Sequence, residues 1–317
     1  MNTRGAILLL CMLPVMGTKA QDPDSLEQAR LANMISLSEV VVRTDINVPR
    51  FIDRVRQDTS FYKAFKNLRI LGFTSRNDIL LTDKKGKIKA SLQSTTRQIR
   101  ENDCRGMEVM SEKTTGDFYD IRGSYNYYTA ELYASLFFTT GTVCGENNIV
   151  AGTTFSPKGR KGMAKHKEQL KLLFFNPGKR IPGIPFMADR KIDPFDPGIS
   201  NLYDFFIDMS DYEQKQCYVF TVRAKEELRS GQRDKLVIDE MVTWFDAKTM
   251  EVLARNYRMS YNAGVYDFDV LMEVELTRFG EYLVPKTLRY KGNWDVALKP
   301  RERGIFTATL SQFSKEK

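Results

Sequence analysis

Six segments between residues 215 and 313 alternate apolar and polar side chains, and only short turns separate them. This period of two is typical of β-strands that have one buried and one solvated face. No connection is long enough for a crossover helix, so neighbouring strands must run antiparallel. The sequence therefore predicts an up-and-down meander with strands at residues 215–225, 236–246, 252–262, 268–279, 282–293 and 304–313.

The first twenty residues have the layout of an export signal. Arg4 precedes a short apolar run at 6–17, and Ala20 supplies a small residue at the expected cleavage point. A membrane-spanning helix needs roughly 20 apolar residues, and this run is shorter. Because Cys11 lies inside the run, we assign it to the signal rather than to a lipid anchor. We expect an exported protein, periplasmic or associated with the outer membrane, whose mature chain begins near Gln21.

The net charge gives little support to nucleic-acid binding. Removing residues 1–20 takes away Arg4 and Lys19 but no acidic residue, which lowers the formal charge from +8 to +6. That excess is small for a chain of this length, and an exported protein rarely meets nucleic acid. We expect a monomer that does not bind nucleic acid.

Three cysteines follow the predicted signal, and an odd number cannot all pair within one chain. Export makes a disulfide chemically permissible. Cys104 and Cys144 lie at the ends of predicted elements, and we predict that they pair. Cys217 falls within a strand pattern, which predicts a small buried apolar residue.

Before the meander, the sequence predicts a lead segment at 21–45 and one domain at 46–317. Asn47-Val48-Pro49 is a helix start, and two short amphipathic helices follow it. Extended segments are predicted at 69–74, 79–82, 88–100 and 107–111, and the pattern at 129–140 favours a helix over a strand. Residues 141–214 are predicted to be an irregular insertion containing a basic amphipathic helix at 161–174.

The residue types that carry catalysis are sparse. The single histidine, His166, lies between two lysines, so neither a multi-histidine metal site nor a serine triad is indicated. Asp189, Asp193 and Asp196 cluster in a proline-containing stretch, and paired carboxylates at the right separation hydrolyse glycosides. Asp beside Pro more often marks a turn. We expect no enzyme, no metal and no organic cofactor.

The basic segment from Lys161 to Lys171 has two interpretations. Lysines that bracket Leu170 and the apolar residues after it could lie against an anionic membrane surface. More often, a basic helix packs an apolar stripe against the core and leaves its charged face in solvent, and we favour that interpretation.

The apolar face of the meander also has two interpretations. Its large side chains are ordinary core beneath the helices, or they line an apolar cavity if the sheet curls and the helices cover it incompletely. Candidate ligand-binding residues are Phe220, Trp244, Tyr257, Met259, Tyr261, Phe268, Met272, Tyr290 and Phe306.

Three stretches of the meander resemble a known family. They are QCYVFTVRAK at 216–225, VTWFDAKTMEVLARNY at 242–257 and YLVPKTLRY at 282–290, and the matching positions are Asp246, Lys248, Thr249 and Pro285. Their order is similar to that in LolA/LolB-like lipoprotein carriers and outer-membrane lipoprotein-sorting proteins. The chain also resembles exported proteins of Bacteroidetes-type bacteria. In the LolA/LolB-like family an unclosed antiparallel barrel holds acyl chains beneath covering helices.

The combined prediction is an α+β fold with a single large curved antiparallel sheet, an unclosed half-barrel, and helices covering its concave face. The expected function is non-enzymatic binding of a lipid, a lipoprotein acyl chain or another apolar ligand in the cell envelope. The alternatives are an envelope protein–protein interaction module with a filled barrel and a carboxylate-dependent glycan hydrolase.

Overall fold

The computed structural model describes residues 30, 33–37, 46–150, 172–179, 192–262, 266–296 and 300–315. The predicted signal at 1–20, most of the predicted lead segment, His166, Asp189 and the basic segment from Lys161 to Lys171 lie outside the described residues. Within the described part of the chain, no helix combines the length and the apolar character that a membrane crossing requires.

One sheet dominates the described chain. Its twelve strands are β1 (Ile35–Leu37), β2 (Gly72–Thr82), β3 (Ile88–Glu101), β4 (Cys104–Gly116), β5 (Val143–Cys144), β6 (Tyr203–Tyr212), β7 (Lys215–Ala224), β8 (Ile238–Asp246), β9 (Val252–Tyr261), β10 (Tyr266–Phe279), β11 (Tyr282–Val296) and β12 (Glu302–Ser314). Their spatial order is β1-β6-β7-β8-β9-β10-β11-β12-β2-β3-β4-β5. Because β1 and β5 are opposite edges, the sheet is not closed into a barrel.

The predicted six-strand meander is confirmed. Strands β7 to β12 are consecutive antiparallel neighbours. Strand β12 then pairs with β2, with Phe306 opposite Ile79, which joins the meander to the β2–β4 hairpins in one sheet. The parallel pairing of β1 with β6 makes the sheet mixed rather than wholly antiparallel. A parallel pair needs a long connection, and the chain between these two strands supplies it.

The described helices are α1 (Val48–Gln57), α2 (Ser60–Asn67), α3 (Tyr128–Phe137) and the short α4 (Ser230–Arg233). Residues 172–175 are also helical. The backbone N–H of Arg50 donates to Asn47 Oδ1 over 3.0 Å, so the predicted cap of α1 is confirmed. The predicted helix at 129–140 is α3, which ends at Phe137.

The helices pack on one face of the sheet, here called the covered face, which carries Phe220 and Tyr257. The ring of Phe51 in α1 lies 5.7 Å from that of Phe220. The ring of Phe61 in α2 lies 6.3 Å from that of Tyr257. The predicted α+β fold, an unclosed sheet with helices over one face, is confirmed.

Strand β6 departs from the prediction of an irregular insertion at 141–214. Phe205 and Ile207 are buried, whereas Asp208 is exposed, and the whole strand pairs antiparallel with β7. Alternation in Tyr203–Tyr212 was a usable signal, but the preceding prolines obscured it. Asp204 and Asp208 also weakened the strand pattern, because aspartate is rare in strands.

The predicted cysteine assignments are confirmed. Cys104 and Cys144 form a disulfide that fixes β5 to the start of β4. Cys217 is a free, fully buried thiol in β7.

The positions that carry the family resemblance are turns and irregularities of the sheet. Asp246 Oδ1 accepts hydrogen bonds from the backbone N–H groups of Lys248 and Thr249 at 2.9 and 3.0 Å, which closes the β8–β9 turn. Pro285 lies opposite Leu276 where the register of the β10–β11 pair shifts. These residues shape a turn and the strand register of the sheet.

Candidate functional site

Eight of the nine predicted ligand-binding residues lie buried on the covered face. These are Phe220, Tyr257, Met259, Tyr261, Phe268, Met272, Tyr290 and Phe306. They pack closely: the rings of Tyr290 and Phe306 stack 4.9 Å apart. Phe174, from the helical turn at 172–175, lies 6.0 Å from Tyr290. The helices therefore fill this part of the sheet with side chains, and ligand contact by the eight residues remains a prediction.

Trp244 is the exception and requires a correction. Met241, Thr243 and Phe245 of β8 are buried, so alternation places Trp244 on the opposite face of the sheet. There its ring lies 5.8 Å from that of Tyr212. The register shift between Ile238 and Glu240 changes which side chains of β8 face inward, and the sequence pattern alone does not show it.

A cavity of about 410 Å³ lies at another part of the covered face, beneath α2, α3 and the segment 138–146. Ligand sites in proteins typically measure about 300–1,000 Å³. Apolar and aromatic side chains line one part of it: Tyr62, Phe65, Leu68, Phe73, Leu136, Phe137, Phe138, Val143, Phe175, Ala308 and Leu310. The polar lining is Lys66, Arg69, Ser75, Gln98, Arg105, Ser135, Thr139, Thr140 and Glu146. None of the nine residues predicted from the sequence lines this cavity.

The aromatic part of the lining is held rigidly by ring contacts. Phe65 of α2 stacks on Phe175 with ring centroids 4.3 Å apart. Phe137 of α3 meets the edge of the same Phe175 ring at 5.7 Å. One ring from the 172–175 turn thus joins α2 to α3 and fixes the distance between two walls of the cavity.

Gln98 organises the polar part of the lining. Its amide nitrogen donates to the carbonyl oxygens of Leu68 and Leu71 at 2.6 and 2.7 Å, which ties β3 to the end of α2. Its Oε1 accepts from Arg105 Nη1 and from the Thr139 hydroxyl, both at 3.1 Å. Both the nitrogen and the oxygen of this buried amide therefore have hydrogen-bond partners. The amide oxygen also positions the Arg105 guanidinium at the cavity.

Glu146 supplies the carboxylate of the lining and is already paired. It bonds the Nε of Arg105 and lies 3.4 Å from Arg69 Nη1. The Cys104–Cys144 disulfide holds the neighbouring segment against β4, so Glu146 and Val143 stay at the wall. Three cationic side chains and one carboxylate give the lining an excess of two positive charges.

Lys66 has a different environment from the two arginines. It is only 8% exposed although it carries an ammonium group. Burial and the charge of Arg69 lower the pKa of Lys66, and Glu146 partly opposes the shift. Among the described residues its ammonium group has neither an ion pair nor a hydrogen bond. Lys66 thus lines the cavity with a largely buried side chain, and its ammonium group keeps contact with water instead of pairing with a carboxylate of the described residues.

Asp193 and Asp196, two of the carboxylates considered for catalysis, accept hydrogen bonds from the backbone. Asp193 accepts a hydrogen bond from the N–H of Phe195 at 3.0 Å, and burial raises its pKa. Asp196 accepts from the N–H of Gly198 at 2.8 Å. These contacts fit the turn interpretation of both residues. In the described part of the chain, no three His, Cys, Asp or Glu side chains are grouped so as to hold a metal ion.

Comparison with known proteins gives distant structural neighbours. No protein-family model matches the chain, and no curated protein matches it. A DUF1329 family protein from Desulfovibrio piger is 10% identical, covers 93% of this chain and 94% of its own, and has a TM-score of 0.25. A putative outer-membrane lipoprotein-sorting domain from Vibrio parahaemolyticus is 7% identical, covers 81% and 89%, and has a TM-score of 0.28.

A third neighbour, lipovitellin, comes from a structure of its lipid–protein interactions. It is 7% identical with a TM-score of 0.27, and the match covers 78% of this chain but 26% of lipovitellin. At these values the function has to be argued from the residues of the chain itself.

Proposed function

We propose that this chain is a non-enzymatic binding protein of the cell envelope for an amphiphilic molecule that carries an acyl chain. The cavity beneath α2 and α3 is the observation that carries the proposal, because it combines an aromatic wall with a charged one. An acyl chain would lie against Phe65, Phe137 and Phe175, where each buried methylene contributes about 0.8 kcal/mol. The polar end of the ligand would face Lys66 and Arg105.

The location is part of the same proposal. The predicted signal at 1–20 and the Cys104–Cys144 disulfide both suit an oxidising compartment outside the cytoplasm. We place the protein in the periplasm or at the outer membrane, with a lipid or an acylated protein as its partner. Membrane contact through Lys161 to Lys171 and the monomeric state remain predictions.

The proposal is tested by filling the cavity. Ser135 of α3 is half-buried and lines it, so Ser135→Trp should place an indole where the acyl chain lies. We expect the affinity for monolauroylglycerol, measured by isothermal titration calorimetry, to fall about 100-fold, because the indole excludes several methylenes. Ser230→Trp, at an exposed position of α4, adds the same side chain elsewhere and should leave the affinity unchanged. Equal affinities for both variants would contradict the proposal.

An interaction module is the second candidate, because the meander core is filled and β4 presents a free edge. In the described chain β5 pairs only with Cys104 and Arg105, so the rest of β4 has a neighbour on the β3 side alone. Val109 and Met110 on that strand are 59% and 58% exposed. Such an edge can accept a further strand from a partner protein. Absence of amphiphile binding by the native chain would favour this candidate.

A further inference from the structure

Lys66 is held in place by its neighbours on α2. Phe65 is stacked on Phe175. Asn67 donates from Nδ2 to the carbonyl oxygen of Leu283 at 2.8 Å and accepts from Asn148 Nδ2 at 2.8 Å. With both adjacent residues anchored, the helix cannot turn Lys66 towards solvent without losing these contacts. The position of the ammonium group at the cavity is therefore built into the packing of α2.

The Lys66 side chain is largely buried, but its nitrogen is not among the side-chain atoms that are closed off from water without a partner. Water therefore reaches the ammonium group where it lines the cavity. An anionic ligand that displaces this water would give the ammonium group a charge-assisted hydrogen bond in its place. A neutral ligand would bring it no opposite charge.

The protein itself does not pair Lys66 with a negative group within the described residues. Glu146 is the carboxylate of the lining, and both of its oxygens are engaged by Arg105 and Arg69. An anion in the cavity can therefore pair with Lys66 while Arg69 and Arg105 keep their contacts with Glu146. The neutral head of the amphiphile used above to test the proposed function would bring Lys66 no opposite charge.

We propose that the natural ligand carries an anionic head, a carboxylate or a phosphate, which pairs with Lys66 while the acyl chain lies against the aromatic wall. This inference rests on the proposed function, because it assigns the chemistry of one end of the same ligand. It makes Lys66 the residue that selects anionic over neutral amphiphiles. Arg69 and Arg105 stay paired with Glu146 and add long-range attraction.

Three amphiphiles with the same lauryl tail test the inference: laurate, lauryl phosphate and monolauroylglycerol. The native chain should bind at least one of the anions about ten- to a hundredfold more tightly than the neutral compound, the range expected for one hydrogen bond to a charged group. A preference for laurate would indicate a free fatty acid, and a preference for lauryl phosphate would indicate a phospholipid head. Calorimetric titration at constant ionic strength gives all three affinities.

The matched variants are Lys66→Met and Lys63→Met. Lys66→Met keeps the aliphatic stem and removes the charge, so the anions should lose that tenfold to hundredfold advantage over monolauroylglycerol. Lys63→Met removes the same charge from the exposed side of α2 and should change none of the affinities. A circular dichroism spectrum and a thermal midpoint close to those of the native chain show that the variant is folded.

Two results would overturn the inference in different ways. If the native chain binds the neutral compound as tightly as both anions, or if Lys66→Met weakens all three equally, Lys66 does not select an anion, although the proposed function stands. If none of the three binds to the native chain, the proposed function fails and the inference fails with it.

Discussion

Replacing both Cys104 and Cys144 with alanine is expected to lower the free energy of unfolding by about 4 kcal/mol. The disulfide closes a loop with a sequence separation of 40 residues, and opening it increases the conformational entropy of the unfolded chain. The loop contains β4 and α3, so the variant should also hold Val143 and Glu146 less firmly at the cavity wall. Urea denaturation with a fitted slope separates the stability change from a change in the unfolded ensemble.

Cys217→Ala is the control for this prediction. Cys217 is also buried, but it is a free thiol, and its loss removes a small side chain rather than a cross-link. We expect it to cost about 1 kcal/mol. A double variant at Cys104 and Cys144 that is no less stable than Cys217→Ala would show that the cross-link does not stabilise the fold.

Replacing Asp58 with alanine is expected to lower the free energy of unfolding by about 3–5 kcal/mol. Asp58 joins α1 to α2, and its Oδ2 lies 3.8 Å from Arg255 Nη2 on the covered face. Burial lowers the pKa of Arg255, but an arginine stays charged, so the variant leaves a buried cation without its carboxylate. The Asp58 side chain also accepts from the N–H and the hydroxyl of Ser60 at 3.2 and 2.7 Å, and these bonds are lost too.

The arginine has two other contacts that keep it in place. Its Nε donates to the Thr243 hydroxyl at 3.0 Å, and its guanidinium carbon lies 4.4 Å from the centroid of the Phe61 ring. Adding Arg255→Met to Asp58→Ala removes the isolated charge and should restore part of the lost stability. Asp53→Ala, within α1, removes only an exposed hydrogen bond from Gln57 and should change stability by less than about 0.5 kcal/mol. A loss for Asp58→Ala no larger than for Asp53→Ala would contradict the assignment.

The meander was predictable because each of its strands pairs with the next strand in the sequence. Each hairpin from β7 to β12 shows its own alternation and its own turn, and Asp246 marks one of those turns by its hydrogen bonds. The pairing of β12 with β2 was not predictable in the same way. It joins Phe306 to Ile79 across most of the chain, and alternation gives a strand two faces but does not say which strand lies at its edge.

The cavity was hidden from the sequence for a related reason. Its lining comes from α2, α3, the segment 138–146, the turn at 172–175 and strands β2, β3, β4 and β12. Each contribution alone is an ordinary core or surface residue. Lys66 directly follows the buried Phe65. Adjacent residues of a helix point in different directions, so the helical period did not predict that Lys66 is buried as well. The predicted site instead followed the densest aromatic pattern, and dense aromatic packing is what fills the meander core.

The central claim is that the cavity beneath α2 and α3 holds an acyl-bearing amphiphile. The most direct measurement is mass spectrometry of an organic extract from protein purified without detergent, with Ser135→Trp prepared in parallel. The account predicts about one acyl-bearing molecule per native chain and a trace at most in Ser135→Trp. Equal amounts from both proteins, or no acyl compound from the native chain, would contradict it.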